Sequence, residues 1–293
     1  MSATTTTAAK TAAASGSVTI GGDLRVHRMG FGAMRLTGPG IWGEPKDPAE
    51  AKRVLHRLLD LGVNFIDTAD SYGPEVSERL IAEALHPYPQ GLVIATKGGL
   101  TRQGPDKWLP VGRPEYLQQC VELSLRRLRV DRIDLYQLHR FDSRVPAEES
   151  LGALQELQQA GKIRHIGLSE VGVDEIKRSR QQVKIVSVQN RYNASDRAHE
   201  SVVDYCTKEG LAFIPWFPVA AGELTRAGGP MDKLARKHHA TVAQLALAWL
   251  LHRSPVMLPI PGTSSVAHLE ENVAASALHL ADAEWAEIDS AKT

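Results

Sequence analysis

Eight short runs rich in Val, Ile and Leu recur along this chain, with amphipathic helical stretches between them. The runs are MGFGAM (29–34), NFIDTA (64–69), LVIAT (92–96), IDLYQLH (133–139), IRHIGLS (163–169), IVSVQN (185–190), LAFIPWF (211–217) and VMLPIPG (256–262). They lack strict polar–apolar alternation, which suits parallel strands buried on both faces. Ala51, Val54, Leu55, Leu58 and Leu59 form one helical stripe. Leu117, Cys120, Val121, Leu125 and Leu128 form another, opened by Pro114, and SLGALQELQQAGK stops at Gly161. Such a rhythm has two main architectures, an open doubly wound sheet or a closed barrel. The open sheet predicts a Gly-rich phosphate turn leading into a helix after the first strand. Here MGFGAMR runs into Leu, Thr, Gly and Pro instead. The expected fold is therefore an α/β (β/α)8 TIM barrel, with SVTIGGDLRVHR as an N-terminal β-hairpin closing the bottom.

A chain of 293 residues can form such a barrel as one domain. Residues 17–293 show no linker or shift in composition and are expected to be a single domain. The stretch MSATTTTAAKTAAASG (1–16) is almost purely Ser, Thr and Ala. It has neither the apolar core of a signal peptide nor the arginines of a transit peptide, and reads as a disordered tail. Lys plus Arg number 34 and Asp plus Glu 34, so no net field favours nucleic acid or an anionic membrane. No apolar run approaches the ~20 residues that cross a bilayer. Cys120 and Cys206 cannot build a disulfide framework and read as buried free thiols in a reducing, cytoplasmic compartment. The eleven histidines show no ligand spacing, so no metal site is expected.

In such barrels chemistry gathers at the C-terminal ends of the strands. The second strand ends in Asp67, with Tyr72 in the loop beyond; Lys97 closes the third and His139 the fourth. Ser169 closes the fifth, Gln189 and Asn190 the sixth, Trp216 the seventh. Taken singly, each is equally a turn, packing or strand-end residue. Together a carboxylate, a phenol, an amine and an imidazole land on one rim from neighbouring strands ~4.8 Å apart. A phenol titrates near ~10 and gives up its proton reluctantly at neutral pH. An ammonium beside it favours the phenolate and is expected to pull its pKa down. A carboxylate paired with that ammonium offsets part of its desolvation. The imidazole can orient a substrate oxygen or assist proton delivery. Tyr72 is thus a candidate general acid for a carbonyl oxygen becoming an alkoxide. None of the four is a hydride source, so a cofactor must supply one.

In this order and context the residues resemble those of the aldo-keto reductases. The likeness runs from about residue 17 to the C-terminal region, through MGFGAMRL, NFIDTADSYG, ATKGG, IDLYQLHR, KIRHIGLS, VSVQNRYN and PIPGTSSVAHLEEN. It implies a barrel that binds an extended nicotinamide cofactor without a Rossmann turn and passes hydride to an aldehyde or ketone. Tyr72 would be the acid, Lys97 and Asp67 would tune it, and His139 would orient the carbonyl. Ser169 and Gln189 match positions that hold the carboxamide. Trp216 sits where the family usually stacks a Tyr on the nicotinamide ring. Gly32, Ala33, Met34 and Arg35, with Asp67, are further expected contacts. Phe217, Pro218, Val219, Ala220 and Gly222 would fold over the pyrophosphate. Ile260, Gly262, Thr263, Ser264, His268, Glu271 and Asn272 would hold the adenosine end. Three departures stand out. Glu170 follows Ser169 where many members have Asn; Gly262 stands where well-studied branches carry Lys; Ser264 and His268 occupy places where an Arg often grips the 2′-phosphate. Thr263, Ser264, Ser265 and a protonated His268 can still hydrogen-bond a phosphate. NADPH is the cofactor expected, with NADH left open.

The expected partner is a small carbonyl substrate. Trp42, Trp108 in GGLTRQGPDKWLPVGRP, and Phe141 are candidate aromatic walls, and Arg140 a candidate polar contact. Pyridoxal-like, sugar-derived and natural-product carbonyls all fit such a description. The four rim residues are compatible with an NADPH-dependent carbonyl reductase. They are also compatible with a cofactor-binding regulatory subunit, like the channel β subunits that share the family's barrel. Oligomeric state is left open by the sequence.

Overall fold

In the computed structural model, which describes residues 11–219 and 227–290, the chain enters through an antiparallel hairpin of β1 (Ser17–Ile20) and β2 (Leu24–His27). Its turn needs positive φ at Gly21 and Gly22, 68° and 100°, which only glycine adopts without strain. Ile20, Leu24 and Val26 are buried against Phe65, Val93, Leu135, Val186 and Leu258 inside the barrel, so the hairpin plugs its floor.

The apolar runs then form one parallel sheet. Its strands are β3 (Phe31–Gly32), β4 (Phe65–Asp67), β5 (Val93–Gly98), β8 (Ile133–Leu138), β9 (Ile163–Ser169), β10 (Ile185–Gln189) and β11 (Ala212–Phe213), in the order β11-β10-β9-β8-β5-β4-β3. Helices α1 (Pro48–Asp60), α2 (Val76–Leu85), α3 (Pro114–Leu128), α4 (Ala147–Gln159), α5 (Val173–Gln182) and α6 (Glu200–Glu209) alternate with the strands. Helices α7 (Pro230–Lys237), α8 (Val242–Arg253), α9 (Val266–Ala274) and α10 (Asp282–Ser290) follow. Asp47 caps α1 by accepting from the Glu50 amide at 2.9 Å, with Pro48 in the first turn, and Ala51, Val54, Leu55 and Leu58 are buried. Helix α3 buries the whole stripe from Leu117 to Leu128, Cys120 included.

The eighth run closes the barrel without forming a regular strand. Phe213 N donates to Val256 O at 2.9 Å and Leu258 N to Phe213 O at 2.8 Å, while Gly30 N and Gly32 N donate to Pro259 O and Pro261 O at 3.0 and 3.5 Å. Pro259 and Pro261 have no N–H to return, so the ladder towards β3 carries donors from one side only. The two backbones also approach closely here. A side chain at Gly32 or Gly262 would run into the neighbouring carbonyl oxygen, 2.6 Å from Ile260 O or 2.7 Å from Gly32 O.

One segment differs from the sequence reading. Ala12–Ser15, expected to belong to a tail, form a 3-10 helix with Ala12 and Ser15 buried. Ser15 Oγ accepts from Met29 N at 3.0 Å, and Ala12 N donates to Leu61 O at 2.9 Å, so this end is stitched to the barrel. Residues 1–10 lie outside the described residues. The segment after β5, which carries Trp108, folds as an antiparallel hairpin of β6 (Leu100–Arg102) and β7 (Trp108–Pro110). Among the described residues no helix is long and apolar enough to cross a membrane, and no cluster of three or more His, Cys, Asp or Glu could hold a metal.

Candidate active site

Strand register gathers the polar residues. Asp67 pairs with Ala95, so Lys97, two residues on, shares its face, and Lys97 in turn pairs with Gln137. After β4 the chain continues beside β5, with Thr68 N bonded to Ala95 O at 2.8 Å and Asp70 N to Lys97 O at 3.1 Å. A turn with Tyr72 N on Ala69 O, 3.2 Å, brings the phenol back over the strand ends.

Lys97 is fully buried and its Nζ donates three times, to Asp67 Oδ1 at 2.5 Å, Thr68 O at 2.9 Å and the Tyr72 hydroxyl oxygen at 3.2 Å. Three acceptors match the three protons of an ammonium. Burial works against that charge, but Asp67 and Tyr72 outweigh it and raise the Lys97 pKa above its ordinary value. The other Asp67 oxygen accepts from Gln137 Nε2 and Gln189 Nε2, both at 2.9 Å. Gln137 escaped the sequence reading; a lone amide inside the apolar run IDLYQLH was its signal.

The direction of the Tyr72 shift reverses the expectation. Burial raises the phenol's pKa, and the Lys97 charge counters this only in part. The group is therefore a firmly protonated phenol. Because its oxygen already accepts from Lys97, the hydroxyl proton is left to point elsewhere. His139 stands edge-on to Tyr72 with ring centroids 5.9 Å apart, and its Nδ1 lies 3.3 Å from Ser71 Oγ. Burial, then the charges of Lys97, Arg140 and Arg102, hold its imidazole well below the usual value, so it is neutral.

Of these residues Asp67, Tyr72, His139 and Gln189 line one end of a cavity of about 880 Å³. At that end Trp108 packs edge-on against Tyr72 and His139, with centroids 6.3 Å away in each case, beside Ile41, Leu100 and Pro110. Trp108 is fixed by Arg102, whose guanidinium carbon lies 3.5 Å over its ring and 5.7 Å from that of Trp42. Arg102 also donates to the carbonyls of Gly40, Ile41, Ser71 and Lys107 at 2.7 to 3.0 Å, joining three loops. Nothing in its sequence neighbourhood marked Arg102 or Ser71. Arg140 donates through Nη1 to His139 O at 2.6 Å and Ser169 Oγ at 2.9 Å.

Trp216 and Phe217 form the middle wall, with Pro218 and Val219. The Trp216 indole N–H donates to Glu170 Oε1 at 2.5 Å, and the same oxygen accepts from Arg191 N at 2.7 Å. The residue that departs from the family pattern is thus a clamp on the ring. Asn190 is spent on Val171, accepting from its N–H at 3.1 Å and donating to its carbonyl at 2.8 Å. The rest of the lining is Met34, Arg35, Ile260, Gly262, Thr263, His268, Glu271 and Asn272, together with Pro261, Gly32, which pairs with Asp67, and, on the first turn of α8, Ala243. Gly262 leaves out a side chain, and a Cβ built there would lie 3.4 Å from Arg35 Cγ. The Arg35 side chain therefore runs beside the position where the lysine of other branches would stand.

Other expected contacts lie elsewhere. Ala33 is buried and its carbonyl accepts from Ser77 Oγ at 3.3 Å, while Ser264 is exposed; neither lines the cavity. Phe141 packs on the hydrophobic core, and Trp42 lies on the outer side of Arg102, 38% exposed. Ala220 and Gly222 lie outside the described residues.

The sequence is 52% identical over 289 residues to an uncharacterized oxidoreductase of Schizosaccharomyces pombe, covering 99% of this chain and 94% of that protein. It is 45% identical over 267 residues to pyridoxine 4-dehydrogenase of Escherichia coli, covering 89% and 93%. A crystal structure of an aldo-keto reductase from Klebsiella pneumoniae in complex with NADPH superposes with a TM-score of 0.77 at 24% identity, covering 94% of each chain, and so shares the barrel. A family model, Aldo/keto reductase family, matches residues 28–293. With that match, and with the fold and the Asp67–Lys97–Tyr72–His139 cluster in place, the chain belongs to the aldo/keto reductase family of oxidoreductases.

Proposed function

We propose that the protein is an NADPH-dependent reductase of aldehydes or ketones, with Tyr72 as the proton donor. The observation that carries this is the Lys97 ammonium bonded to the Tyr72 oxygen in a buried, protonated phenol that opens onto a cavity. The donor set fits a nicotinamide cofactor: an aromatic face on Trp216, the polar side chains of Ser169 and Gln189 in the same cavity, and Arg35 with Thr263 and His268 in the same lining for phosphate. The cofactor, when bound, supplies a hydride to the carbonyl carbon. The chain's own residues handle the oxygen. Tyr72 donates its proton to that oxygen as negative charge develops there, and the phenolate left behind is stabilised by Lys97. Asp67, held by Gln137 and Gln189, keeps Lys97 charged and placed. Neutral His139 donates a hydrogen bond to the same substrate oxygen without competing for the proton. Trp108 and its apolar neighbours exclude water from one side.

The dehydrogenase named among the relatives supports turnover over a purely regulatory role, and supports aromatic carbonyls as substrates. The test is purified protein with NADPH or NADH and an aromatic aldehyde, followed through nicotinamide absorbance. Tyr72→Phe is expected to keep cofactor affinity while kcat falls by about 10²–10⁴. Equal turnover by the two proteins would remove Tyr72 from this role.

A further inference from the structure

We propose that Arg140 is the subsite for an anionic or strongly accepting oxygen of the substrate, which makes the preferred substrate a flat aromatic aldehyde with a hydroxyl beside its carbonyl. This rests on the reading of the site as a carbonyl reductase. Arg140 follows His139 directly and lines the cavity with Tyr72, Trp108 and Ser169. Only its Nη1 is engaged, and both acceptors, His139 O and Ser169 Oγ, are neutral. Nε and Nη2 have no partner among the described residues. These two atoms form the side-on edge of the guanidinium, the fork that grips two oxygens or one anion in its plane.

The carboxylates around the cavity are committed elsewhere. Asp67 is held by Lys97, Gln137 and Gln189. Glu170 is held by Trp216 and Arg191, and Glu271 accepts from Thr241 Oγ1 at 2.6 Å. Burial acts most strongly on this guanidinium, and Glu170 answers it only through space, without a hydrogen bond, so an occupant of the cavity can provide the direct acceptor that Nε and Nη2 lack. Cofactor phosphates have other candidate partners, because Arg35 follows β3, and Thr263 and His268 follow the eighth run, across the barrel from β8 and β9. Trp108, close to perpendicular to Tyr72 at 86°, with Ile41, Leu100 and Pro110, leaves a slot suited to a ring. A ring in that slot with its carbonyl oxygen at Tyr72 and His139 turns an adjacent hydroxyl towards Arg140.

The experiment compares pyridoxal, 2-hydroxybenzaldehyde and benzaldehyde with the NADPH-loaded protein, its Arg140→Leu and its Arg140→Lys forms. The wild type is expected to favour the two hydroxylated aldehydes by about 10–100-fold in kcat/KM, the range of a charge-assisted hydrogen bond. Arg140→Leu should bring that ratio to within about threefold, chiefly through KM, and Arg140→Lys should restore part of it. A second readout is independent of turnover: calorimetric binding of pyridoxine and benzyl alcohol to the NADP+-loaded forms, with the same preference expected in the wild type and lost in Arg140→Leu. Equal slowing of all three aldehydes with the ratio intact, or a weakened affinity for NADPH alone, makes Arg140 structural or cofactor-directed and overturns the proposal. If no aldehyde is reduced, the reductase reading falls. An Arg140-dependent preference for pyridoxine in the calorimeter would still uphold the subsite, and equal binding would sink it.

Discussion

Replacing Lys97 by Met separates the two jobs assigned to its ammonium. Methionine nearly fills the space and removes the charge. What remains is the Asp67 carboxylate, 2% exposed and bonded only to the amides of Gln137 and Gln189, and a Thr68 carbonyl without its donor. Breaking a buried pair from one side costs ~3–5 kcal/mol, because a charge is left uncompensated. Unfolding entropy of ~2.1 cal/mol/K per residue means that a chain of 293 residues loses about 1.6 °C of Tm per kcal/mol. The expected drop is therefore about 5–8 °C, measured by calorimetry at neutral pH. The sign with pH follows from the orphaned charge. Protonation neutralises it, so the gap between variant and wild type should be widest near pH 8 and narrow towards about pH 5. Reduction of an aromatic aldehyde, assayed well below both melting temperatures, should slow by about 10²–10³, the usual loss when one donor to a developing anion is removed. A Tm within about 1 °C of wild type, or a gap constant from pH 5 to 8, would refute the argument from an uncompensated charge.

Three other outcomes follow from the same geometry. Burial raises the Tyr72 pKa, so if its acid form is the proposed donor, the reduction rate should hold through neutral pH and fall only above the ordinary phenol range of ~10; alcohol oxidation, which would then need the phenolate, should climb with pH instead. Neutral His139 should leave no step in either profile near ~6.5, and a step there would mean that its imidazole titrates in the working range. Arg102→Met removes the stack on Trp108 and the bonds to three loops, and should raise KM for aromatic aldehydes about tenfold with kcat within about twofold. A loss confined to kcat would put Arg102 in the chemistry rather than in positioning Trp108.

Much of this site was legible because barrel geometry turns strand ends into neighbours. Asp67, Lys97 and His139 each close an apolar run, so their meeting followed from the fold class alone. The helical stripes at α1 and α3 were equally plain, since apolar spacing and burial are the same fact seen twice. What stayed hidden depended on depth and on long-range backbone contacts. The sign of the Tyr72 shift turns on how completely the phenol is removed from water, which a list of neighbouring charges does not contain. Arg102 acts mainly on main-chain carbonyls of distant loops, and carbonyls carry no sequence signature. The 3-10 helix at Ala12–Ser15 was masked by a composition typical of tails; its hold comes from one serine hydroxyl and one amide.

The seam between β3 and the proline-bearing eighth run has a mechanical consequence. Its lateral bonds run in one direction only, and the residues on either side, Gly32, Ile260, Pro261 and Gly262, are also cavity wall. A molecule lying along that wall would splint this one-sided closure of the barrel while being gripped by it. Occupancy and rigidity are then two readings of one equilibrium, and the loaded protein should resist heat in proportion to how tightly it holds its cargo.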